Sequence, residues 1–201
     1  MPGSQHYNPR MRITSGELKG REIRLAKNSR ARPATGFVRE LVMNLFTPDR
    51  LQSGAFLDIC AGSGIVGLEA ISRGAPLLFS VEVDRRTCDD LRASARDFGI
   101  EERVRVLKVD GRRCTGVVAK QLPEGMKVSC CFLDPPYITD MARSLLPGLA
   151  QAPDIWSADA LIIMRTPDTL PESNAGLELL ERRKAGNASL WVFRPKTGSE
   201  S

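Results

Sequence analysis

Short apolar runs alternate with amphipathic stretches from residue 55 onward. The runs AFLDIC (55–60), PLLFSVE (76–82), RVRVLKV (103–109), VSCCFL (128–133) and ALIIM (160–164) have the length and composition of strands. Between them, GIVGLEAISRGA and RRTCDDLRASARDFGI carry helical periodicity. Strands separated by helices build βαβ units, and near-continuous apolar runs mark strands covered on both faces. The pattern predicts a doubly wound α/β fold with a mostly parallel sheet. The segment GLELLERRKAGNASLWVFRP departs from it, reading as two extended runs joined through Gly186-Asn187. No helix fits between these runs, so they pair antiparallel. That ending is expected of a seven-stranded, Rossmann-like sheet whose last strand is inserted antiparallel.

The first 30 or so residues follow another pattern. RITSGELKGREIRL alternates, with Gly16 and Gly20 as turn candidates, and predicts a small β-hairpin ahead of the sheet. In RPATGFVRELVMNLF, Pro33 marks the approach to a helix that carries Phe37, Leu41 and Leu45 on one face. The expected organisation is a basic arm and hairpin over 1–30, the main α/β domain over 31–195 and a disordered tail over 196–201.

Composition narrows the possible chemistry. The 201 residues suffice for one domain with a sizeable core. No apolar run is long enough to span a bilayer, and the start lacks a signal-peptide core, so a cytoplasmic protein without membrane contact is expected. The five cysteines, at 60, 88, 114, 130 and 131, form no C-x-x-C pair, and His6 is the only histidine. A disulfide framework, a Cys/His zinc site and imidazole-based nucleophilic catalysis are all disfavoured, and no metal is expected. Residues 1–40 hold nine Lys/Arg against three Glu, whereas the remainder holds 20 basic and 21 acidic residues. The whole basic surplus therefore sits in the first fifth of the chain. It suits a polyanion such as nucleic acid, although a solvated arm has the same composition.

The stretch FLDICAGSGIVGLEA joins the first strand to a helix. Gly62, Gly64 and Gly67 satisfy G-x-G-x-x-G, and Glu82 follows 20 residues after Gly62. This spacing fits an adenosine-containing cofactor, with the acidic residue accepting ribose hydroxyls. Asp58 precedes the loop, where its carboxylate would repel a pyrophosphate but attract the ammonium of a methionine moiety. That charge argument favours S-adenosylmethionine over NAD. Asp110, just past the third strand, is placed either to meet an adenine amino group or to cap a turn.

The fourth strand ends in Asp134-Pro135-Pro136-Tyr137. At the carboxyl edge of a parallel sheet these residues lie at the expected ligand crevice. Two prolines hold the backbone stiffly extended and offer no N–H, so the local surface is rich in acceptors. Tyr137 adds a flat face for stacking. Acceptors beside an aromatic plate suit the exocyclic amine of a nucleobase, whose nitrogen would attack a sulfonium methyl.

DICAGSG, VEVD and DPPY at these spacings resemble a class I S-adenosylmethionine-dependent amino-methyltransferase. RITSGELKGREI and RPATGFVRE resemble the N-terminal blocks of the bacterial 16S ribosomal RNA guanine-N2 methyltransferases, the RsmD family, and the likeness runs from about residue 12 to 194. The resemblance implies that Asp134, Pro135, Pro136 and Tyr137 hold the guanine. It implies that Asp58, Cys60, Gly62, Ser63, Gly64, Glu82 and Asp110 hold S-adenosylmethionine, and that Arg32, Thr35 and Arg39 form a basic block near the RNA entrance. Ala34 and Gly36 depart from that block, which usually has threonine and an acidic residue there. The implied partner is ribosomal RNA or the small ribosomal subunit, and a monomer is expected. The alternatives are an adenine-N6 methyltransferase on DNA or RNA, a protein-glutamine methyltransferase, an NAD-dependent oxidoreductase and a non-catalytic RNA-binding assembly factor.

Overall fold

The computed structural model describes residues 11–23, 36–136, 141–166 and 176–196. Seven strands, β1 (Ala55–Ile59), β2 (Leu78–Glu82), β3 (Val104–Lys108), β4 (Val128–Leu133), β5 (Trp156–Thr166), β6 (Glu178–Ala185) and β7 (Ala188–Arg194), form one sheet in the order β3-β2-β1-β4-β5-β7-β6. The first five run parallel, and β7 is inserted antiparallel between β5 and β6. This is the class I methyltransferase fold, with the C-terminal hairpin turning at Gly186 and Asn187 as expected. Among the described residues, no helix is long and apolar enough to cross a membrane.

The central strands are apolar because both of their faces are covered. All five residues of β1 and all six of β4 are buried. Their side chains alternate between two cores. Phe56, Phe132, Ile163 and Val192 pack with residues of α1 (Gly36–Phe46), α3 (Ile65–Ser72) and α4 (Arg85–Phe98). Leu57, Leu133, Met164 and Phe193 pack with α5 (Cys114–Ala119) and α6 (Met141–Ala150). The short α2 (Pro48–Ser53) precedes β1.

Two elements depart from the sequence expectation. Helix α1 turns Val38, Arg39, Val42, Met43 and Phe46 into the core, while Phe37 is exposed and Leu41 and Leu45 are half-buried. The buried stripe is thus offset by one residue from the predicted one, because Phe46 packs edge-on against Phe56 of β1 at 5.3 Å between ring centroids. Strand β5 starts at Trp156, ahead of the apolar run. Val128 pairs with Trp156 but Cys130 with Leu161, so the polar Ser157–Asp159 stretch is accommodated by a register shift.

The N-terminal hairpin is a minimal ribbon bridged between Arg12 and Glu22. Met11, Ile13, Leu18 and Ile23 bury into the same core as α1 and α3. Its anchor is Glu69, a fully buried carboxylate on α3. Glu69 accepts from the backbone N–H of Thr14 at 2.9 Å, the Thr14 hydroxyl at 2.6 Å and the backbone N–H of Ser15 at 3.0 Å, and pairs with Arg73 at 3.0 Å. At Gly16, φ is +80° and a Cβ would lie 1.7 Å from the Ser72 carbonyl oxygen, so only glycine lets the turn approach α3. Lying outside the described residues are 1–10 of the arm, 24–35 with the Pro33 helix approach, and 197–201 of the expected tail.

Removing the buried Glu69 carboxylate leaves its part-buried donors on Thr14 and Ser15 without an acceptor, each bond being worth roughly 1.5–3 kcal/mol when made to a charge. Glu69→Ala is expected to destabilise the protein by about 3 kcal/mol or more in urea unfolding. Amide exchange at Thr14 and Ser15 is expected to accelerate beyond the change in β1 and β4. An unchanged unfolding midpoint would show that the hairpin is not held through Glu69.

Candidate active site

Strand order places the site. Neighbours of β1 are β2 on one side and β4 on the other, so the chain leaves β1 in one direction and later returns to its opposite flank. The loops after β1 and β4 then diverge at a topological switch point, where open α/β sheets bind ligands. Parallel register sets Asp58 opposite Phe132 and Ile59 opposite Leu133, so Asp134 follows one step past the last pair. The backbone N–H of Asp134 still donates to the Ile59 carbonyl at 3.3 Å, tying the DPP segment to the start of the glycine loop.

That loop turns sharply after β1. Cys60 has φ 60°, a left-handed conformation costly for a side-chain-bearing residue. Gly64 has φ +69° and precedes α3, and a Cβ there would lie 2.2 Å from Leu91 of α4. Glu82, ending β2, ties the loop down: one carboxylate oxygen accepts from the Gly62 N–H at 3.0 Å, the other from the N–H groups of Val83 and Asp84 at 2.8 and 3.0 Å. Ser63 is buried, with its hydroxyl 3.4 Å from the Ile65 N–H that donates to it. The Cys60 thiol lies 3.7 Å from Met141 Sδ, and burial, reinforced by Glu82, pushes it up to about 12. It is held as a neutral thiol.

Asp58 sits below the rim and not in the crevice itself. It is 2% exposed and accepts from the Gly67 N–H at 3.1 Å. Burial pushes its carboxyl up to about 7, against the Gly67 hydrogen bond and with added repulsion from Asp134 and Glu82. Burial likewise raises Asp134 to about 6, opposed by Arg165. Three carboxylates from β1, β2 and β4 thus share one rim of the sheet. Their repulsion is an arrangement that an anion would worsen and a cation would relieve.

Asp110 caps a single 3-10 turn over Gly111–Arg113. It accepts from the Arg112 backbone N–H at 2.9 Å and is gripped by the Arg112 guanidinium, which holds its carboxyl down at about 2. The capping alternative of the sequence reading is therefore realised, with both oxygens engaged by Arg112.

Pro135 is buried and Pro136 exposed beyond Asp134. Tyr137, Arg32 and Thr35 lie outside the described residues. Arg39 faces inward: it is 7% exposed, donates to the Arg12 carbonyl at 3.2 Å, and its guanidinium is shifted down by burial, against the attraction of Glu69. Arg12 pairs with Glu22, and Arg21 donates to the Asp97 carbonyl and stacks on Phe98. These three arginines of the basic segment are used within the fold.

One site residue has no signal in the sequence. Arg165 of β5 follows Met164, which pairs with Leu133, so it stands beside Asp134. Its Nη1 donates to Asp134 Oδ2 at 2.6 Å. Only the register of β4 with β5 brings together two residues 31 positions apart.

Known proteins share this framework. The "Putative rRNA methyltransferase YlbH" of Bacillus subtilis is 27% identical over 188 residues, spanning 92% of this chain and all of the relative. The ribosomal RNA small subunit methyltransferase D of Escherichia coli K12 is 26% identical over 196 residues, covering 95% of this chain and 93% of the relative. A solved structure described as "Putative methyltransferase yhhF from Escherichia coli" superposes with a TM-score of 0.73 at 26% identity, over 94% of this chain and 99% of that one. A ribosomal protein L11 methylase from Lactobacillus delbrueckii, at 16% identity and a TM-score of 0.54 over 71% of this chain and 70% of that one, shares the fold. The family described as conserved hypothetical protein 95 matches residues 11–194, and the chain belongs to it.

Proposed function

We propose that the protein transfers a methyl group from S-adenosylmethionine to the exocyclic N2 amine of a guanine in 16S ribosomal RNA. The observation that carries this reading is Asp134: a carboxylate at the switch point, backed by two prolines and bonded through its own N–H to the strand that feeds the glycine loop. The two relatives named for ribosomal RNA methylation extend it to the substrate.

The residues present suit a cationic cofactor. Asp58 and Glu82, with Asp134 partly offset by Arg165, create a field that favours positive charge, and the Gly62 amide of the loop is already bonded to Glu82 and not free for a pyrophosphate. When bound, S-adenosylmethionine supplies an electrophilic methyl on a positively charged sulfur, which departs as a neutral thioether. Asp58, being buried, acts on the cofactor's ammonium through its field or through a water. Glu82 is placed at the end of β2, where a ribose is met in sheets of this class.

Asp134 then works on the amine. The nitrogen lone pair of an aromatic amine is delocalised into the ring. A carboxylate accepting from its N–H pulls the nitrogen toward a tetrahedral shape and offsets the charge that develops as the N–C bond forms and the S–C bond breaks. The methylated nitrogen afterwards sheds a proton to Asp134 or solvent. Guanine N2 lies on the pairing edge, so the base must be unpaired or extruded from its helix.

Two predictions test this reading. With labelled cofactor and small ribosomal subunits, the wild type is expected to yield N2-methylguanosine. Asp134→Ala is expected to lower the rate by about 100-fold or more while leaving RNA affinity within about twofold. N6-methyladenosine as product, or unchanged turnover in the variant, would contradict the assignment.

The second concerns pH. Asp58 and Asp134 have folded-state pKa values raised above the ordinary 3.8, to about 7 and about 6. Their contribution to stability is fully present below the unfolded value and is lost as pH rises through 6 and 7. A bound cation favours the charged carboxylates and so releases protons. Affinity for S-adenosylmethionine is expected to rise between about pH 5 and pH 7.5, and Asp58→Asn to flatten that rise. Without cofactor, Asp58→Asn is expected to gain Tm over the wild type across the same range. A pH-independent affinity would remove the carboxylates from cofactor binding.

A further inference from the structure

Asp134 is expected to serve as an acceptor, and a carboxylic acid serves that role poorly. Its surroundings push it in the wrong direction. It is largely buried, and the groups that reach it from β1 and the loop behind it are Asp58, which is acidic, and the Cys60 thiol. Arg165 on the other flank, β5, is the counter-charge among the described residues. Both side chains of the pair are mostly covered, 14% exposed for Arg165 and 18% for Asp134, so solvent screens their attraction less than at a surface. The contact uses one carboxylate oxygen, Oδ2. Oδ1 has no partner among the described residues.

The side on which Arg165 stands has a reason in the sheet. Alternation along β4 and β5 puts Asp134 and Arg165 on the face shared by Phe132 and Ile163, the face covered by α1 and α3. Asp58 belongs to that same face through Phe56. The guanidinium thus approaches Asp134 from the strand opposite the glycine loop, leaving the cofactor side to the carboxylates.

We infer that Arg165 is a positioning residue for methyl transfer: it clamps Asp134 through Oδ2, keeps the carboxylate ionised and reserves Oδ1 for the substrate amine. This rests on the proposed role of Asp134 in the reaction. The pair is close to neutral overall, so Arg165 lends Asp134 its acceptor state and leaves the negative field of the rim to Asp58 and Glu82. The single Nη1–H bond at 2.6 Å restrains the Asp134 side chain at Oδ2.

The experiment compares wild type, Arg165→Met and Arg165→Lys by two readouts. The first is the pH dependence of methyl transfer under saturating cofactor. The acid limb of Arg165→Met is expected to move up by about one pH unit or more, a deficit of about tenfold near pH 6 that shrinks toward pH 8.5. Arg165→Lys, which keeps the charge, is expected to restore most of the limb position while retaining a lower plateau, since its flexible ammonium holds Oδ2 in a less fixed direction than the guanidinium Nη1–H. The second readout is the carboxyl carbon resonance of Asp134, titrated by NMR in protein without substrate. Its midpoint is expected near 6 in the wild type and higher in Arg165→Met. An unshifted midpoint in the folded Met variant, or a rate loss of equal size at every pH, would overturn the inference. A shifted midpoint in a protein that methylates nothing would uphold the clamp on Asp134 and sink the methyl-transfer reading.

Discussion

The parallel pairing of β1 with β4 is the constraint on which the site depends. It brings Asp58, the glycine loop and Asp134 to one rim, although some 70 residues separate the loop from the DPP segment. The hydrogen bond from the Asp134 N–H to Ile59 closes that rim just where the chain must diverge toward two different helices. Burial of both strands on both faces makes the register rigid, because a slip by one residue would send Asp134 to the opposite core. Chemistry is thus placed by the least polar part of the molecule.

The same packing charges a cost. A carboxylate at the end of a buried strand loses hydration, which raises Asp58 and Asp134, and neighbouring carboxylates add repulsion at Asp58. Raising Asp58 from 3.8 to about 7 corresponds to roughly 4 kcal/mol of disfavoured charge at alkaline pH. Under the proposed function, a bound cationic cofactor would offset that cost. The protein relieves the strain locally with the Gly67 N–H on Asp58, three backbone N–H groups on Glu82 and Arg165 on Asp134.

Much of this was legible in the sequence, and the failures have physical causes. Apolar runs bounded by turn residues located the five parallel strands, and Gly186-Asn187 announced the antiparallel hairpin. The glycine spacing and Asp134-Pro135-Pro136 pointed to the rim that the structure forms. What escaped were interactions fixed by tertiary register. Glu69 holds Thr14 and Ser15 across more than 50 residues, Arg165 meets Asp134 across two strands, and neither has a local pattern. Charge counting could not show the structural use of the N-terminal arginines. Arg12, Arg21 and Arg39 add to the basic surplus of the N-terminal segment, yet in the fold they clamp the hairpin, α1 and α4 together. Arg39 is buried, whereas Arg12 and Arg21 stay exposed while making these contacts, so part of the surplus also serves the fold.

On the proposed reading, acidic side chains at the ends of β1, β2 and β4 select a cationic, adenosine-bearing ligand. Calorimetric titration of the wild-type protein with S-adenosylmethionine and, separately, with NAD at neutral pH tests it most directly. Saturable one-to-one binding of S-adenosylmethionine with no detectable heat from NAD is the predicted result; saturable binding of NAD with none for S-adenosylmethionine would contradict it.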